Sequence, residues 1–403
     1  MHPPAAEAEL SAGQERAAVR LLQAASATSA FDRFAVGALL VSLAADLDEP
    51  LGAATAAASA YFLCYGLSQP LWGLLSDRLG RVRTMRLALS LAGLGAVVSA
   101  LAPGLDLLVV ARACTGACMA AVVPSGLVYV GDAVPLARRQ RTLTDLNAAT
   151  AVGITAAMGL GGVLASALSW RVAFLLPGLV AAGLVVVLRR LPEPPVAGLV
   201  QGGVLTVLRA RWGRRVLALA LIEGAALLGL LTYFAPALQS TGWSATTAGA
   251  VVALYGVGLL LASRVVKRLA GSTRPEVFLG VGAAGLAMAY GAVATSRAGW
   301  VVGGAALLVG AAWAAMHSTM QTWATQVVPQ ARASMVSLFA GVLFVGSGTA
   351  TAVLAPLGDA RRWAPLFGAG MLLVAVFGVA AVVGRTAYAA QPARPAVPVP
   401  PVG

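Results

Sequence analysis

Long apolar stretches, broken at short polar intervals, run the length of this chain. Twelve of them can cross a bilayer. In the first half they lie at roughly 24–46, 54–76, 83–102, 105–131, 142–167 and 170–189. In the second they lie at roughly 215–240, 244–268, 275–296, 299–327, 331–355 and 363–386. A span needs about 20 apolar residues, and a helix satisfies its own backbone hydrogen bonds in lipid. The pattern predicts an all-α polytopic membrane protein. Between spans 6 and 7 the stretch 191–214 is basic and holds Pro192, Pro194 and Pro195. It reads as a linker between six-helix bundles at 21–190 and 215–388. Residues 1–20 and the Pro-rich tail 389–403 are expected to be disordered.

The two bundles copy each other. Tyr65-Gly66 recurs as Tyr255-Gly256 and Arg78-Leu79 as Arg268-Leu269, 190 residues on. Val134-Pro135 and Arg138 recur as Val328-Pro329 and Arg332, 194 residues on. Each copy also carries an acid inside its first span, Asp32 and Glu223. A duplicated, very apolar chain with an intramembrane acid in each half is the ground plan of a transporter.

Composition agrees: 59% of the 403 residues are hydrophobic and 11% charged. The net charge of +13 suggests nucleic acid until its placement is read. Arg78, Arg81, Arg83 and Arg86 follow span 2, Arg138, Arg139 and Arg141 follow span 4, and Arg264, Lys267, Arg268 and Arg274 follow span 8. Arg189, Arg190, Arg209, Arg211, Arg214 and Arg215 fall around the linker, whereas the intervening loops hold only Arg171, Arg297, Arg361 and Arg362. Basic residues in alternate loops are topology signals, and they place both termini in the cytoplasm. Nucleic-acid binding is excluded on this reading. The first twenty residues carry Glu7, Glu9 and Glu15, unlike a secretory leader. Cys64, Cys114 and Cys118 fall within spans, so no disulfide is expected, and Cys114 with Cys118 makes a poor metal site without further ligands.

The loop after span 2 reads Gly73-Leu74-Leu75-Ser76-Asp77-Arg78-Leu79-Gly80-Arg81-Val82-Arg83. It resembles the G-x-L-x-D-R-x-G-R-[RK] loop of the major facilitator superfamily. Arg112 and Gly116 resemble that superfamily's R-x-x-x-G motif in span 4. Asp132, Pro135 and Arg138 resemble the exit of that span, and Trp170-Arg171 with Phe174 the start of span 6. The resemblance covers about residues 22–388 and is strongest to the twelve-helix drug:proton antiporters. It implies two pseudo-symmetric bundles that rock about a central cavity, with no cofactor and a proton gradient as the driving force. One departure stands out. That family usually carries G-x-x-x-G-P-x-x-G-G in span 5, and here Ala157-Met158 replaces the Gly-Pro. The motif marks antiport within the family, so its loss leaves the direction of transport open. Gly153, Ala157 and Gly161 still offer a small-residue stripe to another helix.

Gly73, Asp77, Arg78, Gly80, Arg81, Arg83 and Asp132 form a candidate conformational latch. Gly80 permits the tight turn, and the acids have the wrong sign for topology signals. In the second copy Asp77 becomes Lys267 and Asp132 becomes Gln326, which confines the ionic latch to the first half.

Proton coupling is expected at Asp32, Glu223 and Arg112. A charge at mid-bilayer costs about 2.5–3.5 kcal/mol on permissive scales, and an acid escapes that cost by binding a proton. Arg112 cannot deprotonate, so it needs a partner, and Asp32 is the obvious one. Arg33 points about 100° from Asp32 and either snorkels to the interface or lines the cavity. In the second case anionic or zwitterionic substrates become plausible.

The substrate surface is expected from Tyr61, Tyr65 and Gln69 in span 2 and Trp313, His317 and Gln321 in span 10, each an i, i+4, i+8 stripe. Arg33, Tyr233, Phe234 and Tyr255 complete the candidates. Aromatics alternating with hydrogen-bonding groups suit an amphipathic ligand, and interhelical packing is the competing reading. The stretch Gly280-Val281-Gly282-Ala283-Ala284-Gly285 matches a dinucleotide fingerprint but lies inside a span, so it is a packing surface. No phosphate loop, serine elbow or metal-ligand cluster is present, so the chain reads as a transporter and not an enzyme. Export of an amphipathic small molecule in exchange for protons is the first expectation. Sugar or metabolite efflux or uptake is the alternative, and a non-transporting sensor fits less well. The near-absence of lysine against many arginines points to a bacterial inner membrane, and the chain is expected to be a monomer.

Overall fold

The computed structural model describes residues 12–194 and 203–391. Among the described residues eleven helices are long and apolar enough to cross a membrane, and a bent pair taken as one span makes twelve. The first bundle holds α1 (Gly13–Phe34 and Val36–Asp46), α2 (Leu51–Leu79), α3 (Arg81–Leu101), α4 (Leu105–Ala133), α5 (Ala137–Ala167) and α6 (Trp170–Arg190). The second holds α7 (Arg211–Gln239), α8 (Ala245–Leu269), α9 (Pro275–Thr295), α10 (Gly299–Val327), α11 (Pro329–Asp359) and α12 (Trp363–Ala389). Each matches one apolar run. Large apolar side chains such as Leu67, Leu71, Trp300, Leu372 and Val379 remain exposed on the outside, where lipid replaces water as solvent.

Two expectations need correction at the ends of the first bundle. The helix of α1 begins at Ala12, so 12–20 is ordered, and 1–11 lies outside the described residues. The apolar count missed this turn because Glu15 and Arg16 interrupt it. Glu15 is nevertheless buried, and its carboxylate meets Arg138 at 3.0 Å. The linker is also shorter than 191–214. A short helix forms at Val204–Arg209, and α7 starts at Arg211. Residues 195–202 and most of the expected tail, 392–403, lie outside the described residues.

Helices 1, 4, 7 and 10 are all irregular in mid-course. The two pieces of α1 meet at 44° across Ala35. The helix of α4 breaks at Ala120, where Pro124 removes the donor to the carbonyl four residues back. In α7 a π-turn at Ala225–Gly229 and a 3-10 turn at Leu231–Tyr233 precede Pro236, which frees the Thr232 carbonyl in the same way. A second π-turn, Trp313–His317, interrupts α10, and no proline accounts for it.

The small-residue stripe of α5 receives α1: Gly153 packs on the Ala27 backbone and Gly161 faces Ala35. Close approaches between the bundles run from the side away from the basic loops to mid-span, where Gly66 meets Gly341 and Gly256 meets Thr155. At the face away from those loops Gly37 faces the Thr232 carbonyl, Gly162 the Ala245 carbonyl and Gly52 the Ala355 carbonyl. Toward the basic loops, Val122–Ala133 and Ser318–Val327 pack on helices of their own bundles. The molecule is therefore closed on the face opposite the basic loops.

Candidate functional site

Asp32 stands three residues before the break in α1, fully buried. Arg112 of α4 is equally buried and reaches it. Its Nη1 donates to Asp32 Oδ1 at 2.9 Å, and Nη2 donates to the Asp32 carbonyl at 2.9 Å and Oδ2 at 3.3 Å. Arg112 thus satisfies both the carboxylate and a backbone carbonyl at the helix break. The guanidinium is sandwiched between the rings of Tyr61 and Phe174, 4.5 and 4.4 Å from their centroids. Gly116, one turn along α4, explains the R-x-x-x-G spacing. Its bare Cα lies against the Tyr61 carbonyl, so a side chain there would push α2 and the Tyr61 ring off Arg112.

The acid of the second bundle has a different partner. Glu223 is fully buried, not edge-solvated, and its nearest base is His317 of α10, with Nδ1 3.4 Å from Oε1. Neither carboxylate oxygen is hydrogen-bonded, and nor is His317 Nδ1. Trp313 lies against the imidazole at 4.1 Å between ring centroids, and Phe339 of α11 lies at 5.8 Å. Both residues sit beside the π-turns of α7 and α10, and such turns often mark functional sites.

Arg33 lines a cavity rather than snorkelling. It is 5% exposed, its Nε is unbonded, and no carboxylate pairs with it among the described residues. Its guanidinium lies 4.8–5.1 Å from the rings of Phe34, Tyr65 and Phe344. The cavity beside it, about 20 Å³, is bounded by Phe34, Phe62, Met158, Leu231 and Thr232 and is large enough for a water molecule. It is the closed end of the space between the bundles.

The remaining cavity candidates divide. Tyr61 and Tyr65 stack on one another at 6.1 Å and join Phe62 and Phe344 in one aromatic cluster. Gln69 is buried beside Gly341 of α11. Tyr255 is buried with its hydroxyl unbonded. Gln321 is exposed, because it lies beyond the π-turn. Phe234 is a correction: it packs edge-on against Tyr290 and Phe367 inside the second bundle. The Tyr233 hydroxyl donates to the Thr351 carbonyl and also meets the Thr55 side chain of α2, so this residue stands at the seam between the bundles. Phe339 and Phe344 escaped the sequence reading, because single phenylalanines in apolar spans carry no polar neighbour to distinguish them, and Phe174 was read only as part of the motif that starts span 6.

The candidate latch forms around one residue. Arg81 meets Asp77 at 2.5 Å, Asp132 at 3.1 Å and the Ser76 hydroxyl at 3.1 Å. Gly80, at φ +96°, turns the chain into α3, and the exposed first amides of that helix find an acid. Glu193 accepts from Val82 N–H at 2.9 Å and Arg83 N–H at 3.1 Å. Glu193 was not foreseen; its only signal is an acid between two prolines of the linker. Gly73, Arg78 and Arg83 take no side-chain part. Gly73 has nothing against it, and Arg78 and Arg83 point outward. Among the described residues no group of three or more His, Cys, Asp or Glu is placed to hold a metal ion.

The Major Facilitator Superfamily model matches residues 24–352. The efflux pump dotC of Dothistroma septosporum is 31% identical over 153 residues, 38% of this chain and 26% of that protein. The uncharacterized MFS-type transporter EfpA of Mycobacterium tuberculosis is 36% identical over 118 residues, 29% of this chain and 22% of that protein. The chain thus spans about a quarter of the length of these relatives. The uncharacterized MFS-type transporter YfhI of Bacillus subtilis is 25% identical over 237 residues, 57% of this chain and 58% of that protein. Among solved structures, a bacterial homolog of the human lysosomal transporter Spinster, inward-facing and unoccupied, superposes with a TM-score of 0.74 at 15% identity. That match covers 94% of this chain and 98% of that one. The POT family transporter PepTSo gives 0.74 at 14% identity, covering 92% and 98%. Identities that low speak for the fold alone. Family match, twelve helices and internal duplication agree, and the chain belongs to the major facilitator superfamily, a family of membrane transporters and not of enzymes.

Proposed function

We propose that this protein exports amphipathic small molecules in exchange for protons, by alternating access between the two bundles. The observation that carries the reading is the sealed Asp32–Arg112 pair at the break of α1. A carboxylate there is stable as an ion only while Arg112 faces it. A proton on Asp32 releases the guanidinium, which then holds only the backbone carbonyl. Proton binding therefore changes what joins α1 to α4 at the helix break, and so biases the bundle between conformations. Arg112 sets the terms of that exchange and carries no proton itself.

Relatives named as efflux pumps support export. The basic loops make the open face cytoplasmic, both termini included, in a bacterial inner membrane, with the protein working as a monomer. The Asp77–Arg81–Asp132 cluster lies within the first bundle, and Glu193 ties the linker to it. The cluster would loosen when the linker moves with the second bundle.

The test uses inverted vesicles with an acidic lumen and a lumenal pH dye. Cationic, neutral and anionic amphiphiles are added to wild type and Asp32→Asn. Lumenal alkalinisation on adding a compound is expected in wild type and not in the variant. Equal responses in both would refute proton exchange through Asp32. Facilitated flux of labelled sugars or metabolites without proton movement would put the uniport alternative in its place.

A further inference from the structure

Arg112 has an acid, but Arg33, buried nearby in the membrane interior, has none. Among the described residues it makes neither an ion pair nor a hydrogen bond. Its neighbour Asp32 is taken up by Arg112 through both carboxylate oxygens. Glu223 belongs to the other bundle, and its carboxylate is sealed beside His317. Arg33 borders the cavity at the closed end between the bundles, where the other lining residues, from α1, α2, α5, α7 and α8, are uncharged. Tyr61 and Tyr255 stand within electrostatic reach of Arg33, and tyrosines are neutral at working pH. The positive charge is therefore left without a counter-charge.

A guanidinium cannot escape burial by losing its proton. Unpaired, it is costly until an opposite charge meets it. The rings of Phe34, Tyr65 and Phe344, 4.8–5.1 Å away, relieve part of that cost through their faces. They do not neutralise the charge, and an anion entering through the open face does. One positive charge in an apolar setting selects a single negative one, because a dianion would keep an uncompensated charge in the same low-dielectric space. The cavity of about 20 Å³ admits an oxygen of the anionic group. Around it Phe62, Met158 and Leu231 present apolar surface to the carbon next to that group.

We infer that Arg33 is the head-group subsite for an amphipathic monoanion, a carboxylate or sulfonate on an apolar body, at the closed end of the space between the bundles. The inference names a substrate class for the exchange reading and rests on that reading for the transport of the ligand. Binding itself needs no gradient and is tested separately.

Purified full-length protein in detergent is titrated with a dansyl-labelled undecanesulfonate, which stays charged at any working pH, and in parallel with its uncharged sulfonamide. Protein-free micelles supply the background. Wild type is expected to bind the sulfonate about tenfold or more tightly than the sulfonamide. Arg33→Gln is expected to abolish that preference and to bind the sulfonamide as wild type does. Arg33→Lys keeps the charge and should keep part of the preference. Arg264→Gln removes an exposed charge of α8 and should keep all of it. Size exclusion, with retained sulfonamide binding, separates misfolding from loss of the subsite. No preference in wild type, an undiminished preference in Arg33→Gln, or a loss in Arg33→Lys or Arg264→Gln equal to that in Arg33→Gln would each overturn the inference. None of these readouts uses a proton gradient. Failure of proton exchange at Asp32 would leave the subsite standing, and loss of the subsite would leave the exchange reading standing.

Discussion

In the first bundle an aspartate on α1 meets an arginine on α4. In the second, the equivalent helices α7 and α10 bring a glutamate to a histidine. Both acids are fully buried, yet the closures differ. Arg112 makes three hydrogen bonds to Asp32 and is held between two rings. Glu223 has one loose neighbour and no hydrogen bond. Arginine keeps its charge at any working pH, whereas imidazole is the side chain that changes charge between about pH 5 and 8. Duplication has therefore placed a buried acid twice, once with a permanent counter-charge and once beside a removable one.

The largest expected difference follows from deleting the base. Arg112→Ala leaves Asp32 buried without a partner, which costs about 3–5 kcal/mol. Thermal unfolding in detergent should drop sharply and proton-driven transport should be lost. His317→Ala should cost under about 1 kcal/mol on the same measurement, because His317 Nδ1 makes no hydrogen bond that would be lost. Equal destabilisation by the two would break the comparison.

Neutralising the acids comes next. Asp32→Asn weakens charge-assisted hydrogen bonds and leaves a buried guanidinium underpaired, at a cost of about 1.5–3 kcal/mol. Glu223→Gln gives up no hydrogen bond and removes a poorly compensated charge, so stability should hold or rise. A Glu223→Gln protein less stable than Asp32→Asn would mean that Glu223 has partners beyond His317.

How much of this was legible follows from the chemistry of the residues. The twelve helices were, because lipid demands unbroken apolar runs. The residues Asp32, Arg112, Glu223 and His317 were, because a polar group in such a run is conspicuous. The breaks in α4 and α7 trace to Pro124 and Pro236, but those prolines alone do not say that Thr232 would face Gly37. The pairing of Glu223 with His317 was not legible. It joins residues 94 apart through a π-turn that no residue type announces. Phe234 turned inward to its own bundle, and an aromatic in a cavity-lining helix looks the same in sequence whichever face it takes.

Gly116 tests whether the ring sandwich matters to the first pair. Gly116→Val would force α2 away from α4 at the Tyr61 carbonyl, at about 1–3 kcal/mol. Tyr61→Leu should recover little of that loss, since the strain lies in the backbone. Substantial recovery in the double variant would place the strain in the Tyr61 ring instead.

The smallest expected effects separate the two bundles at their basic ends. Arg81 is buried between Asp77 and Asp132, and Arg81→Gln should cost about 1–2 kcal/mol by leaving two acids facing each other. The position matching Asp132 is Gln326, and there Arg385 reaches the Gln326 side-chain oxygen at 3.3 Å and Glu276 at 3.9 Å. A pair at that distance is worth under about 1 kcal/mol, and stacking of Arg385 beside Trp323 and Tyr388 survives only as apolar contact in Arg385→Gln. Rising salt should lower the stability of wild type and of Arg385→Gln by similar amounts, and lower Arg81→Gln by less. If Arg385→Gln matched Arg81→Gln in both cost and salt response, the second bundle would own a latch equal to the first. The loss of the acid at Gln326 would then carry no asymmetry.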